Sequence, residues 1–357
     1  MAYERKNIEA MAAYIPGEQI DSPDIIKLNT NENPYPPSPM VNKALADCDV
    51  ARLRQYPPPT AQNLQEAIAK KHGLNRDNVI VTNGGDELLR MAIATFAEAS
   101  ESIAVARPTY TLYKVLAAAH GCTLTSFELN ENWEQPENYA SLLNDSGAKM
   151  CFLVNPHAPS GTLTPIDRIA ELADAFNGVL LLDEAYIDFV DPDVAYDSAQ
   201  LLKDFDNLLI LRTFSKGYSL AGLRMAYGLA NPSLISPLMK TKDSYNTDLI
   251  SQALALAAIE DQQYALKTWN KVRLERQHIT ASLRQAGYIV PDSQSNFVLA
   301  SVPDNQSAED IYLALKKKGI LVRYFKNEDR LDDKLRITIG TPEDNQRLLD
   351  ALAAIQS

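Results

Sequence analysis

Val179-Leu180-Leu181-Leu182-Asp183-Glu184-Ala185-Tyr186 is an unbroken aliphatic run that ends on two carboxylates and a tyrosine. A strand with one face in water alternates apolar and polar residues, whereas one covered on both faces reads as a continuous apolar run. The stretch therefore predicts a central strand of a parallel sheet with helices on both sides. Around it, short β-rich runs at 78–82, 102–106, 122–127, 149–154, 208–211 and 225–229 alternate with helical ones. This pattern predicts an α/β fold with a large domain on a mainly parallel seven-stranded sheet flanked by helices. Ligands of such sheets sit beyond the carboxyl ends of the strands. The residues there are Gly84 and Gly85, then 108–110, 155–161 and 183–186, and finally Ser215 and Lys216.

Thr213-Phe214-Ser215-Lys216-Gly217 and Gly222-Leu223-Arg224 follow one of these strands. A lysine is a nucleophile only when deprotonated, and its ordinary pKa of about 10.4 keeps it cationic at neutral pH. Burial and a neighbouring cation such as Arg224 would both lower that value. Gly84-Gly85-Asp86, between a strand and an amphipathic helix, offers bare N–H groups and a helix N-terminus to an anion.

With 357 residues, 46% hydrophobic and 22% charged, the chain has room for two domains and a large core. Its 46 acidic against 34 basic residues leave a net charge of −12, which speaks against a nucleic-acid partner or an anionic membrane surface. Cys48, Cys122 and Cys151 are few, odd in number and far apart, and read as reduced thiols of a cytoplasmic protein. No apolar run approaches the ~18 residues of a membrane span. The four histidines show no metal-ligand spacing with one another or with cysteine, so no metal is expected.

Residues 1–30 are expected to form an N-terminal arm with a weak strand at 25–29. Pro34, Pro36, Pro37 and Pro39 make 31–39 an extended segment. Thr60 is the expected N-cap of a helix striped by Leu64, Ala67, Ile68 and Lys71, which ends before Gly73. A long helical stretch after about residue 245 leads to strands at 296–299, 320–323 and 335–339. Helices begin at Ser307 and at Thr341-Pro342, where Asp344 completes a capping box. The expected organisation is an arm (1–30), a large domain (31–249, of which 31–47 can pack on the small domain) and a small α+β domain (250–357).

The Lys216 segment resembles the Schiff-base lysine motif of fold-type I pyridoxal-phosphate enzymes. The likeness is strongest to the histidinol-phosphate aminotransferase family and covers nearly the whole chain. It runs through Asn31-Glu32-Asn33-Pro34, Arg54-Gln55-Tyr56-Pro57, Asn83-Gly84-Gly85-Asp86-Glu87, Arg107-Pro108-Thr109-Tyr110, Asp183-Glu184-Ala185-Tyr186 and Leu335-Arg336-Ile337-Thr338. The resemblance implies pyridoxal 5'-phosphate as cofactor, joined covalently to Lys216, which also moves the substrate's α-proton. It implies Asp183 at the ring nitrogen, Tyr186 at the phenolic oxygen and Tyr110 stacked on the ring. Gly84, Gly85, Asp86, Ser215 and Arg224 would hold the phosphate, joined by Tyr56 of the neighbouring subunit in a homodimer with shared sites. Arg336 and Arg323, with Tyr14 and Asn31 on the arm and its continuation, would bind the amino donor and the 2-oxo acid acceptor.

One motif departs from the family pattern. Family members often carry Asn-Pro-Asn-Asn-Pro-Thr-Gly, whose second adjacent asparagine donates to the cofactor's phenolic oxygen. Here Asn155-Pro156-His157-Ala158-Pro159-Ser160-Gly161 places Ala158 at that position. Asn155 is the favoured substitute donor and His157 the alternative. The implied reaction is transamination between histidinol phosphate and 2-oxoglutarate. An aromatic amino-acid aminotransferase and a threonine-phosphate decarboxylase are the competing readings.

Overall fold

The computed structural model describes residues 3–14, 17–20, 22 and 24–356; Met1, Ala2, Ile15, Pro16, Asp21, Pro23 and Ser357, within the expected arm and at the C-terminus, lie outside it. The strands are β1 (Ile26–Leu28), β2 (Val79–Thr82), β3 (Ser102–Arg107), β4 (Thr123–Glu128), β5 (Met150–Val154), β6 (Val179–Asp183), β7 (Leu208–Thr213), β8 (Ala226–Ala230), β9 (Phe297–Ser301), β10 (Ile320–Tyr324) and β11 (Lys334–Thr338). A seven-stranded sheet has the order β2-β8-β7-β6-β5-β3-β4. Only β8 runs against its neighbours β2 and β7, and the other pairs are parallel.

Strand β6 is covered on both faces, as its composition predicts. Leu180 and Leu182 join one apolar cluster with Cys151, Leu153, Leu208 and Ile210. Leu181 joins a second with Phe152, Leu209 and Leu211 on the opposite face. Polar residues have no place inside such a strand and collect at its carboxyl end. The chain order reverses between β3 and β5, and the crevice at such a switch point is where α/β sheets take ligands.

A second sheet has the order β1-β10-β11-β9, with β1 parallel to β10 and the other pairs antiparallel. Strand β1, expected within the arm, is thus the edge of the C-terminal sheet. Ile26 and Leu28 bury themselves there beside Ile320 and Val322. From β1 the chain crosses to the helix Pro39–Ala46, which packs on the helix Leu249–Glu260.

The long helical stretch is two helices, because Asp261 leaves helical geometry at ψ 62° and caps the helix Gln262–Gln285 by accepting from the Tyr264 N–H. This second helix ties down the loops that follow β6 and β7. Trp269 Nε1 donates to the Gly217 carbonyl at 2.7 Å, and Arg273 donates to the Asp188 carbonyl at 2.8 Å. Arg276, almost fully buried, reaches the Phe189 and Ser295 carbonyls at 2.8 and 2.9 Å and Asp191 at 2.7 Å.

Ser307 and Thr341 cap their helices as expected, Thr341 exchanging bonds with Asp344. Thr60 does not cap. The turn closed by the Ala61 N–H on the Pro58 carbonyl holds Thr60 in its interior, and the helix Gln62–His72 starts after Ala61 at φ 53°.

Arg276→Ala removes the cation from a largely buried pair, strands the Ser295 carbonyl and leaves the Phe189 carbonyl only the longer bond from Arg273 Nε, so unfolding free energy should fall by about 3 kcal/mol. Lys326→Ala, at an exposed pair with Glu309, should leave it nearly unchanged. Denaturant titration of both variants checks the difference.

Candidate functional site

Lys216 and Asp183 face the same crevice from the ends of adjacent strands. Lys216 Nζ donates to the Thr30 carbonyl at 2.9 Å and lies 6.0 Å from the centre of the Tyr186 ring. Burial lowers its pKa to about 8, with Arg336, Arg224 and Lys27 acting in the same direction and Glu32 against them. Asp183 is 6% exposed. Its Oδ2 accepts from the Tyr113 hydroxyl at 2.7 Å and its Oδ1 from the Ala185 N–H at 3.1 Å. Burial raises its pKa to about 6, and those two donors work against the rise.

The helix Gly85–Phe96 starts at Gly84 with no side-chain cap on its N-terminus, and the Arg224 guanidinium lies beside Gly84. Gly84 has φ +78°, a conformation that strains any other residue, and a Cβ there would stand 2.8 Å from Arg224 Nη2 and push the guanidinium aside. Arg224 is also 3.8 Å from Asp86. Ser215 is buried behind them, its N–H bonded to Thr213 Oγ1 at 3.0 Å. The result is a polar cup of glycine backbone, helix terminus and one cation.

Tyr110 precedes the helix Leu112–His120 and meets Tyr14 and Tyr113 edge-on, with ring centres at 6.0 and 5.5 Å. Opposite them stands the C-terminal sheet. Arg336 and Arg323 are register partners on β11 and β10, and both guanidinium groups lie near the Phe325 ring at 5.8 and 5.7 Å. Arg336 donates to the Asn29 carbonyl at 3.0 Å, but its Nε is buried with no partner among the described residues. Asn31, at φ 55°, joins the two sides. Its N–H and Oδ1 bond Thr338, its carbonyl accepts from Asn296, and its Nδ2 donates to the Tyr186 hydroxyl at 3.1 Å.

The sequence model of the family described as Aminotransferase class I and II matches residues 23–352. The chain belongs to the class I and II aminotransferases. It is 43% identical to histidinol-phosphate aminotransferase 1 of Nostoc sp. over 98% of this chain and 97% of that one. Identity is 42% with the histidinol-phosphate aminotransferase of Citrifermentans bemidjiense, over 98% and 97% of the two chains. Among solved structures, the histidinol-phosphate aminotransferase of Sinorhizobium meliloti, determined with pyridoxal-5'-phosphate, superposes with a TM-score of 0.90 at 25% identity. That match covers 99% of this chain and 98% of the other.

This aminotransferase uses pyridoxal phosphate, and its residues fit the cofactor. The Gly84 cradle under Arg224 suits a phosphate, the lowered Lys216 amine suits an aldehyde, and the buried Asp183 carboxylate suits a protonated ring nitrogen.

Asn155 does not serve as the substitute donor expected for Ala158. Its Nδ2 donates to the Thr164 carbonyl at 3.1 Å and to the Tyr196 hydroxyl at 2.9 Å, and its Oδ1 accepts from the Thr164 N–H. Both amide hydrogens are committed to the loop that follows β5. His157 is committed too, between Ser160 Oγ at 2.6 Å and the Pro108 carbonyl at 2.9 Å. Burial lowers its pKa to about 4, so the neutral ring donates from Nε2 and accepts at Nδ1. Ala158 packs with Val154, Phe297 and Tyr186 in an apolar floor. Tyr56 is 80% exposed and stacks on Tyr245 at 4.3 Å, on the outer surface of its own subunit. Tyr113 escaped the sequence reading. Its spacing of three from Tyr110, one helical turn on, was the available signal.

A Lys216 amine with pKa about 8 gains neutral form tenfold per pH unit up to that value and then levels off. Competitive acetylation of the apoprotein, read on the Lys216 peptide, should plateau near pH 8 to 9. A lysine at the ordinary 10.5 would keep gaining reactivity past pH 10.

Proposed function

We propose that this aminotransferase moves the amino group of histidinol phosphate to 2-oxoglutarate, giving imidazole acetol phosphate and glutamate. The observation that carries the reading is the pair Arg323 and Arg336, side by side on the sheet face above Lys216, with Arg336 Nε unpartnered among the described residues. Two adjacent cations suit a phosphate dianion in one half-reaction and the second carboxylate of a dicarboxylate in the other. An aromatic amino acid presents one carboxylate only. The relatives in Nostoc sp. and Citrifermentans bemidjiense carry the same named activity, which supports the choice of donor.

Pyridoxal phosphate, when bound, supplies an aldehyde for the amine and a ring that takes up the electron pair left on the substrate's α-carbon. Lys216 would hold the cofactor's aldehyde and, once released by the substrate amine, would serve as the base and acid for the substrate's α-proton. Asp183 would pair with the ring nitrogen and favour its protonated form. Tyr186 would donate to the phenolic oxygen, its own hydroxyl oxygen already accepting from Asn31. Tyr110 would cover one ring face, and Gly84, Gly85, Asp86, Ser215 and Arg224 would hold the phosphate. Tyr14 and Asn31 line the substrate side.

The active unit is a homodimer in which Tyr56 reaches the phosphate held by the neighbouring subunit. Supporting this, Tyr56 stacks on Tyr245 with both rings exposed, and Met40, Leu45, Val50 and Leu53, which precede Tyr56 in the chain, are exposed as well. A cytoplasmic setting fits the free thiols of Cys48, Cys122 and Cys151.

Mixing the holoenzyme with histidinol phosphate, phenylalanine, tyrosine and threonine phosphate in turn, while following the cofactor's absorbance, tests the donor. Histidinol phosphate should react with the highest kcat/KM, and Arg323→Ala should lower that value about ten- to a hundredfold. A faster reaction with phenylalanine would reassign the donor, and carbon dioxide released from threonine phosphate would overturn transamination.

Co-refolding Tyr56→Phe with Lys216→Ala subunits tests sharing, since mixed dimers should regain one site with wild-type cofactor affinity. Absence of any such site removes the role given to Tyr56.

A further inference from the structure

We propose that Tyr113 is a positioning residue for the reaction, its hydroxyl fixing the Asp183 carboxylate as an anion turned toward the cofactor's ring nitrogen. The inference rests on the assignment of Asp183 to that nitrogen. Tyr113 has no exposed surface and lies on the first turn of the helix Leu112–His120, beyond the switch point between β3 and β5. Its ring is held edge-on by Tyr110 at 5.5 Å and by Phe152 of β5 at 5.1 Å, so the phenol cannot swing away. The hydroxyl therefore meets Asp183 Oδ2 at 2.7 Å as a fixed donor.

Asp183 needs such a donor because no cation pairs with it among the described residues. The charges acting on it, Asp86 and Glu184, have its own sign and add to the effect of burial. Tyr110 and Tyr186 are the other titratable groups close by, and burial holds both phenols protonated. The Ala185 N–H occupies Oδ1, and among the described residues Tyr113 supplies the sole side-chain donor. Burial keeps the Tyr113 phenol itself protonated, so the shared proton stays on tyrosine and the carboxylate stays an acceptor. An acceptor at this place is what a protonated ring nitrogen requires; a neutral carboxylic acid would leave the ring a weaker electron sink. Tyr113 also braces Tyr110, which ties the position of the carboxylate to that of the aromatic wall.

The test compares Tyr113→Phe with the unchanged protein. In the apoprotein, the Asp183 carboxyl, followed by carbon-13 NMR, should titrate about one pH unit or more above its value of about 6. In the holoenzyme, the nitrogen-15 resonance of the cofactor ring should move toward the unprotonated position. The dissociation constant of pyridoxal phosphate should rise about tenfold, and kcat should fall with KM for the donor nearly unchanged. A Tyr113→Phe protein that is only less stable, with Asp183 titration, ring resonance and cofactor affinity unmoved, overturns the proposal. If the variant does not fold, 3-fluorotyrosine placed at position 113 keeps the shape and strengthens the donor. Asp183 should then titrate lower than in the unchanged protein, and no movement overturns the proposal equally. Asp183→Asn run in parallel separates the two layers. If it leaves the ring resonance and cofactor affinity unchanged, the assignment of Asp183 falls; if it alters both while Tyr113→Phe alters neither, only the role of Tyr113 falls.

Discussion

Asp183 and Lys216 are two ionisable groups withdrawn from water into one crevice, and among the described residues neither has a direct ion-pair partner. Burial drives the carboxylate up to about 6 and the amine down to about 8, each toward its neutral form. Neighbouring dipoles oppose the drift: Tyr113 and the Ala185 N–H on the acid, the Thr30 carbonyl on the amine. Keeping charges this poorly solvated costs stability, and the doubly covered sheet around β6 supplies the apolar burial that offsets it. The strand ends are where the fold tolerates these groups. They are also where a ligand can reach them.

The second half of the site is set by one residue in an uncommon conformation. Asn31 takes φ 55°, a region asparagine visits more readily than most side chains because its amide can bond locally. That turn lets its backbone and side chain bond Thr338 and Asn296 of the C-terminal region while Nδ2 reaches Tyr186. Thr30, one residue earlier, holds Lys216. Since Thr338 lies two residues beyond Arg336 on β11, the cation above the crevice is registered against the amine below it through two hydrogen-bonded links, Thr338 with Asn31 and Lys216 with Thr30. Strand β1 anchors this crossing to β10.

What could be read from the amino-acid order was whatever depends on local pattern. The double burial of Val179 to Leu182 follows from unbroken apolarity, and the caps at Ser307 and Thr341 follow from residue types at fixed offsets. The misses depend on which partner a group meets once the chain has folded, close by for Thr60 and distant for β1 and Tyr113. Strand β1 is three residues long, and its apolar pair carries no mark of β10, almost three hundred residues away. Thr60 has the chemistry of a cap, but the proline turn before it uses the position differently. Asn155 ends a strand beside the site as expected, yet its amide faces Thr164 and Tyr196, a direction that no spacing rule encodes. Tyr113 drew no reading, because the partner of its hydroxyl, Asp183, lies 70 residues further along the chain.

Arg336 shows how the free protein can be arranged for an anion it does not yet hold. A buried donor without a partner costs about 1–3 kcal/mol, more when the group is charged. The strain is compounded by Arg323 across the ladder, whose like charge acts with burial to lower the pKa of Arg336. Phe297 and Phe325 give both guanidinium groups an aromatic face but no acceptor. An anion placed between them satisfies the stranded Nε and screens one cation from the other. That relief is larger for a dianion than for a single carboxylate, so the sheet face discriminates by charge before the shape of the rest of the substrate matters. Tyr14 and Tyr110, packed edge to face on the opposite side, then offer apolar contact to whatever ring the anion carries.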